Sequence, residues 1–128
     1  MTAARVVLAV AVGVVAVAAM AADWSNAQTV NVVTTEYGFT PNRLTFRAGT
    51  PYRLHLENKG KDTHEFTAPA FLQSAEIRNP DAVNADRTEI LVNPGEQKDV
   101  YLVPRRGRYP LSCADHDWAG MTGEIVVE

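Results

Sequence analysis

The sequence has 128 residues, with 12 basic and 15 acidic side chains and a formal net charge of −3. This length suits one domain with a real core and is too short for two. The charges are interspersed, with no basic stripe and no block of like charge. This composition excludes a nucleic-acid-binding protein and a disordered tail.

The N-terminal segment predicts an export signal. Arg5 precedes an apolar run, Val6–Met20, which is near the upper limit for a signal-peptide core and shorter than the roughly 20 residues that span a bilayer. Small residues of the kind that a signal peptidase reads end at Ala21 and at Ala27. We therefore expect residues 1–27 to be a signal peptide, cleaved at one of these two points. The alternative is an uncleaved membrane anchor.

Residues 28–128 are expected to form the mature domain, and they read as short strands. In Tyr52–Glu57, for example, alternate residues are apolar, so one face is hydrophobic and the other, with His55, is polar. Proline, glycine and asparagine separate the strands at regular intervals, which predicts a β-sandwich or barrel. The predicted strands are Thr29–Thr35, Leu44–Phe46, Tyr52–Glu57, Glu89–Val92, Asp99–Val103, Arg108–Cys113 and Glu124–Glu128.

One stretch, Thr67–Arg87, breaks this rhythm. It contains Pro69 and Pro80, and a short helical piece is expected around Phe71–Ile77. Loops of this length in compact domains are usually functional or mobile.

Cys113 is the only cysteine in the chain. Exported proteins usually pair their cysteines, so an odd thiol needs an explanation. It is either an inert buried residue or a thiol that a bound metal protects.

Cys113, His116 and Met121 lie within nine residues and supply a thiol, an imidazole and a thioether. His64, far upstream, can supply a second imidazole. Taken alone, Met121 reads as a core side chain, His116 as a solvated loop histidine and His64 as the beginning of a strand. Together they match a blue-copper site, in which two imidazoles and a thiolate form a trigonal set with a long axial thioether. Cys113 closes a predicted strand, so a short loop returns His116 and Met121 to the same point.

This segment resembles a known family. The pattern Cys113-x-x-His116-x-x-x-x-Met121, continued by Gly123-Glu-Ile125, is similar to the copper loop and last strand of plastocyanin-like and pseudoazurin-like cupredoxins. Three upstream segments resemble the first half of the cupredoxin pattern, namely Tyr37-Gly-Phe39-Thr-Pro41, Gly49 and Asn58-Lys-Gly60.

The resemblance covers roughly Thr29 to Glu128 and implies a Greek-key β-sandwich or barrel of about seven to eight strands. It also implies one copper ion that cycles between Cu(I) and Cu(II). By this resemblance, His64, Cys113 and His116 are the equatorial ligands and Met121 is the axial ligand.

Three departures from the family pattern lie next to these residues. Glu65 follows the first histidine where an asparagine is usual, Asp115 replaces the usual proline, and Asp115 and Asp117 flank the second histidine. We expect Glu65 to be either a surface carboxylate or a neighbour of the metal ligands that, when ionised, favours Cu(II). The His-Glu-Phe sequence at residues 64–66 also resembles the cupredoxin domains of bacterial iron-uptake proteins.

The resemblance implies a monomeric, non-enzymatic periplasmic electron carrier, without a stable membrane span after processing, that meets a cytochrome or another oxidoreductase. The alternative is a protein of copper resistance or iron uptake that exchanges copper with a donor or acceptor protein. A multicopper oxidase needs further histidines, whereas this chain has three, and His55 is predicted to point outward. Zinc also fits a Cys-His-His set and is the alternative metal.

Overall fold

A computed structural model describes residues 1–14 and 21–128. Residues 1–14 have no regular secondary structure and are exposed. Residues 15–20 of the predicted signal sequence lie outside the described residues, so the division of the chain at residue 27 stays a prediction. In the two described ranges, no helix has the length and apolar character needed to cross a membrane.

The described residues form ten strands and one short α-helix, with 3-10 helices at Trp24–Asn26, Pro80–Ala82 and Asp117–Ala119. The strands are β1 (Gln28–Thr35), β2 (Gly38–Thr40), β3 (Arg43–Phe46), β4 (Tyr52–Asn58), β5 (His64–Thr67), β6 (Glu76–Ile77), β7 (Glu89–Val92), β8 (Gln97–Val103), β9 (Gly107–Ser112) and β10 (Thr122–Val127), and the helix is α1 (Pro69–Ser74).

The strands form two five-stranded sheets that pack as a sandwich. One sheet has the order β2-β1-β4-β8-β6 and the other the order β3-β10-β9-β5-β7. β1 pairs in parallel with β4, and β3 with β10. The side chains that alternate inward, such as Leu54 and Leu56 of β4 and Phe66 of β5, are fully buried between the sheets. The predicted all-β sandwich is confirmed.

The strand count exceeds the expected seven to eight because three strands were not among the predicted ones. β2 has three residues and β6 has two, too few to show alternation, and β5 (His64–Thr67) contains a single apolar residue. The helix also begins and ends earlier than expected. Pro69 occupies its first turn, where a missing N–H costs nothing, and Ile77 lies in β6.

The irregular stretch after β5 packs onto the core. Phe71 and Leu72 of α1 are fully buried. The ring centroid of Phe71 lies 5.4 Å from that of Phe46 and 5.6 Å from that of Tyr109. This segment therefore covers one end of the sandwich with apolar side chains.

The two ends of the sandwich carry different parts of the chain. At one end, called here the Cys113 end, lie the end of β1, the beginning of β5 and the loop between β9 and β10. At the opposite, far end, Gln28 donates its N–H to the Pro51 carbonyl over 3.3 Å, and Ala48 donates to the Glu128 carbonyl over 2.8 Å. Both ends of the β domain therefore lie at the far end.

Candidate metal centre

The loop that carries three of the predicted ligands is closed by its own backbone. Cys113 directly follows β9, and its N–H donates to the Met121 carbonyl over 3.0 Å. Between them the chain turns through the 3-10 helix Asp117–Ala119. Gly120 caps the end of this helix with a φ of +81°, a conformation that favours glycine. The loop therefore returns Met121 to Cys113 just before β10 begins.

His64, Cys113 and His116 converge at one point. One donor atom from each residue lies within 4.8 Å of the others. The Cys113 Sγ lies 3.9 Å from His64 Nδ1 and 3.5 Å from His116 Nδ1. His64 and Cys113 are fully buried, whereas the His116 side chain remains 15% exposed. The sequence prediction that these three residues meet agrees with this geometry.

Met121 lies beside this group. Its side chain is fully buried, and its carbonyl accepts the Cys113 N–H. The same position also lets it pack in the hydrophobic core. Its place next to Cys113 is therefore fixed by backbone pairing, and its role as a ligand stays a prediction.

The spacing of the three donors fits a first-row transition metal. A metal about 2.3 Å from sulfur and about 2.0 Å from nitrogen in a trigonal plane separates the two donors by roughly 3.7 Å. The observed separations of 3.9 Å and 3.5 Å bracket that value. Imidazole and thiolate together are the donors of blue-copper sites.

Glu65 lies against the sulfur and is 5% exposed. Its N–H donates to the Cys113 Sγ over 3.4 Å, and the thiol donates to the Glu65 Oε2 over 3.1 Å. Burial raises the pKa of Glu65, the contact with the thiol lowers it, and the neighbouring Asp115 carboxyl raises it again. Burial also raises the pKa of Cys113 to about 11, because it disfavours the thiolate. Glu65 is thus a buried neighbour of the sulfur, and it does not belong to the group of converging donors.

Glu36, which the sequence pattern does not single out, contacts the far side of the His64 ring. The His64 Nε2 lies 3.3 Å from the Glu36 Oε1. The N–H of Asp62 lowers the pKa of Glu36, and burial partly opposes that shift. The only signal for Glu36 was an acidic residue at the end of a predicted strand, next to Tyr37.

A family model described as a cupredoxin-like domain matches residues 7–127, which is nearly the whole chain. The chain belongs to the cupredoxin-like family. The family and the donor group together support one copper ion at this site. None of the curated proteins compared with this cupredoxin matches it.

Solved structures similar to this cupredoxin include two auracyanins. Auracyanin B is 25% identical, with a TM-score of 0.59, over 80% of this chain and 89% of that one. Auracyanin A, a blue copper protein from Chloroflexus aurantiacus, is 19% identical, with a TM-score of 0.55, over 78% and 98%. A multicopper oxidase from Aquifex aeolicus is 12% identical, with a TM-score of 0.64, over 85% of this chain and 31% of that one. The auracyanin A and oxidase matches show the fold alone.

Aromatic side chains extend this cupredoxin's donor group to the surface. The His116 ring lies against Tyr37, with ring centroids 4.9 Å apart and an interplanar angle of 30°. Trp118 follows at 5.9 Å from Tyr37 and is 76% exposed. The Trp118 Nε1–H donates to the Asp115 carbonyl over 2.8 Å, which fixes the indole. We call Tyr37, His116 and Trp118 the aromatic face.

Proposed function

We propose that this cupredoxin holds one copper ion through His64, Cys113 and His116, with Met121 as the axial ligand, and works as a one-electron carrier. The observation that carries the proposal is the buried Cys113 sulfur between two imidazole Nδ1 atoms, at 3.9 Å and 3.5 Å. Bound copper supplies a Cu(I)/Cu(II) couple. The match to the cupredoxin-like family model supports this function.

The protein's own contribution is a site that hardly moves. His64 is held in β5, while the Cys113–Met121 backbone bond ties the other donors between β9 and β10. Fixed donors keep reorganisation between the two oxidation states small, as in other preorganised polar sites. A rigid frame of this kind suits rapid electron exchange.

The aromatic face is the proposed exit for the electron. It includes His116, the one partly exposed residue of the donor group, and three exposed acidic residues lie beside it, namely Asp62, Asp115 and Asp117. Acidic side chains around an aromatic centre favour a redox partner with a basic face. A cytochrome or another oxidoreductase with such a face fits this chemistry.

The test is a visible and electron-paramagnetic-resonance spectrum of the copper-loaded protein. We expect the intense band of a copper–thiolate bond. Cys113→Ser should abolish the band, while Met121→Leu should keep it and shift the reduction potential. Far-UV circular dichroism checks that each variant is folded. A folded, copper-loaded wild-type protein without the band would disprove the proposal.

A second candidate function is copper delivery or another role in metal homeostasis. The observation that favours it is the acidic surrounding of the sulfur, because Glu65 lies 3.1 Å from Cys113 and interacts with Asp115. Carboxylates give a departing metal ion alternative oxygen donors. Mixing the copper-loaded protein with an acceptor copper protein distinguishes the two roles. Net copper transfer supports delivery, and fast electron exchange with cytochrome c without transfer supports the carrier.

We further propose export to the periplasm with cleavage after Ala21. The Trp24 ring lies 6.4 Å from the Tyr101 ring, and the Arg78 guanidinium lies 5.7 Å from the Trp24 ring. Cleavage after Ala27 would remove these contacts. Mass spectrometry of the exported protein gives the first residue directly. A chain that begins at Gln28, or one that remains uncleaved in the membrane, would contradict this choice.

A further inference from the structure

The carboxylate of Glu36 gathers three hydrogen-bond donors on one oxygen. Glu36 follows β1 at the Cys113 end, and its side chain is 28% exposed. Its Oε1 accepts the backbone N–H groups of Lys61 and Asp62 over 2.5 Å and 2.7 Å. The same oxygen lies 3.3 Å from His64 Nε2. Consecutive backbone N–H groups that converge in this way form a small anion-binding nest.

The loop that supplies this nest is held in place independently of Glu36. The fully buried Asn58 donates its Nδ2–H to the Asp62 and Val92 carbonyls over 2.8 Å and 2.9 Å. Its Oδ1 accepts the Gly60 N–H over 2.9 Å. A Cβ at Gly60 would overlap the Glu36 carboxylate, so the close approach requires glycine. The carboxylate therefore sits in a preformed cradle.

The orientation of the His64 ring makes this contact chemically specific. Its Nε2 lies 3.3 Å from the Glu36 carboxylate, which can only accept, so Nε2 carries the proton and donates, and Nδ1, on the side of the Cys113 sulfur, is left without one. A carboxylate in this position fixes the tautomer and the ring orientation of a metal-binding histidine and increases its basicity. His116 has no equivalent partner among the described residues, because its Nε2 lies 3.7 Å from Asp62 Oδ2.

We propose that Glu36 is the positioning residue of the copper site. Its carboxylate holds His64 with Nδ1 free for the metal, and its negative charge favours Cu(II) over Cu(I). This inference rests on the copper-binding function proposed above. It adds to that function a residue that touches no reacting atom and sets the balance between the two oxidation states through His64.

The experiment compares Glu36→Gln with the matched variant Glu57→Gln in the full chain. Glu57→Gln also removes one carboxylate charge, but from β4, where the Glu57 carboxylate accepts a hydrogen bond from Gln97 and not from a histidine. The first readout is the ratio of Cu(II) to Cu(I) affinity from redox titration. The second is the exchange rate of the His64 Nε2–H in nitrogen NMR spectra, before loading and with Cu(I).

Glu36→Gln should lower the Cu(II)/Cu(I) affinity ratio about tenfold, the lower end of the effects of losing an outer hydrogen-bond partner. It should also speed exchange of the His64 Nε2–H, and Glu57→Gln should change neither readout. An unchanged Nε2–H signal overturns the proposal, whether or not the ratio shifts, because a charge effect alone positions nothing. The spectra before loading remain informative if copper binding itself fails.

Gly60→Ala provides the same test should Glu36→Gln fold poorly. It displaces the carboxylate by steric overlap while keeping its charge. We expect faster Nε2–H exchange with a smaller change in the affinity ratio. Protection equal to that of the wild type would overturn the proposal.

Discussion

His64 and His116 flank the same sulfur but are held in opposite ways. His64 begins a strand, is fully buried, and has a carboxylate 3.3 Å behind its ring. His116 lies on a loop, keeps an exposed edge, and rests against aromatic rings that continue to the surface. In the proposed electron carrier, His64 would therefore fix the geometry of the site, while His116 would connect the site to a partner. The two tasks would be divided between two proposed ligands of the same type.

Removing each imidazole in turn tests this division most severely. Both His64→Gly and His116→Gly should lose the copper–thiolate band. Added imidazole should restore the band in His116→Gly, because the vacated space opens to solvent. It should fail in His64→Gly, because that space is sealed in the core. Visible absorption during an imidazole titration measures both outcomes.

His55→Gly is the control for these two variants. His55 faces away from the core and pairs with Asp99 instead, so the band should persist without imidazole. Equal rescue of His64→Gly and His116→Gly would remove the distinction between a buried and an exposed ligand.

The exposed half of the site should control exchange with a partner. Trp118→Leu should slow electron exchange with cytochrome c about tenfold, within the range over which interface variants change association rates. The reduction potential should not change, because Trp118 is not one of the converging donor residues and its exposed ring lies beside Tyr37. Stopped-flow kinetics measures the rate. The matched variant Tyr101→Leu, on the other sheet, should exchange at the wild-type rate, and a rate loss shared by both variants would refute the aromatic exit.

The buried half should control the potential. Glu65→Gln removes a carboxylate that lies 3.1 Å from the Cys113 sulfur. Loss of this negative charge should raise the reduction potential, because negative charge near the metal stabilises Cu(II). Redox titration checks the shift, with Glu89→Gln on the neighbouring strand as the control. A potential equal to that of the wild type would show that Glu65 places no negative charge next to the metal.

A region remote from the site should show the smallest effect. Burial alone would raise the pKa of Asp99, but the ion pair with Arg53 and the hydrogen bond with His55 hold that pKa below its usual range. A carboxyl whose pKa is lower in the folded than in the unfolded protein stabilises the fold at any pH above its unfolded pKa. This stabilisation is lost as the pH falls through the folded pKa. Asp99→Asn should therefore cost about 0.5 kcal/mol at neutral pH, as expected for a partly exposed pair.

Urea unfolding measures this cost at neutral pH and again below pH 3.8, the ordinary pKa of the group. The difference between Asp99→Asn and the wild type should shrink as the pH falls, and the copper spectrum should be identical. A cost that grows in acid would contradict the ion pair as its source.

Sequence reasoning found the parts of the site that are close together along the chain. Cys113, His116 and Met121 share one loop, so their spacing alone suggested convergence, and His64 followed from the need for a second imidazole. Glu36 could not be predicted because 28 residues separate it from His64, and only the pairing of β1 with β4 brings the two together. β2 and β6 could not be predicted because two or three residues are too few to show alternation of apolar and polar side chains. Longer alternating strands, such as β4, were predicted almost to the residue.

The position of the two ends of the β domain has a practical consequence. Gln28 and Glu128 both attach to the loop around Ala48 and Pro51, at the far end from Cys113. A linker fused at either residue therefore leaves on the side opposite Trp118. Immobilised on an electrode through such a linker, every molecule would turn its aromatic face toward the solution. In this orientation, soluble partners would bind the immobilised protein at the same aromatic face that they contact when the protein diffuses freely.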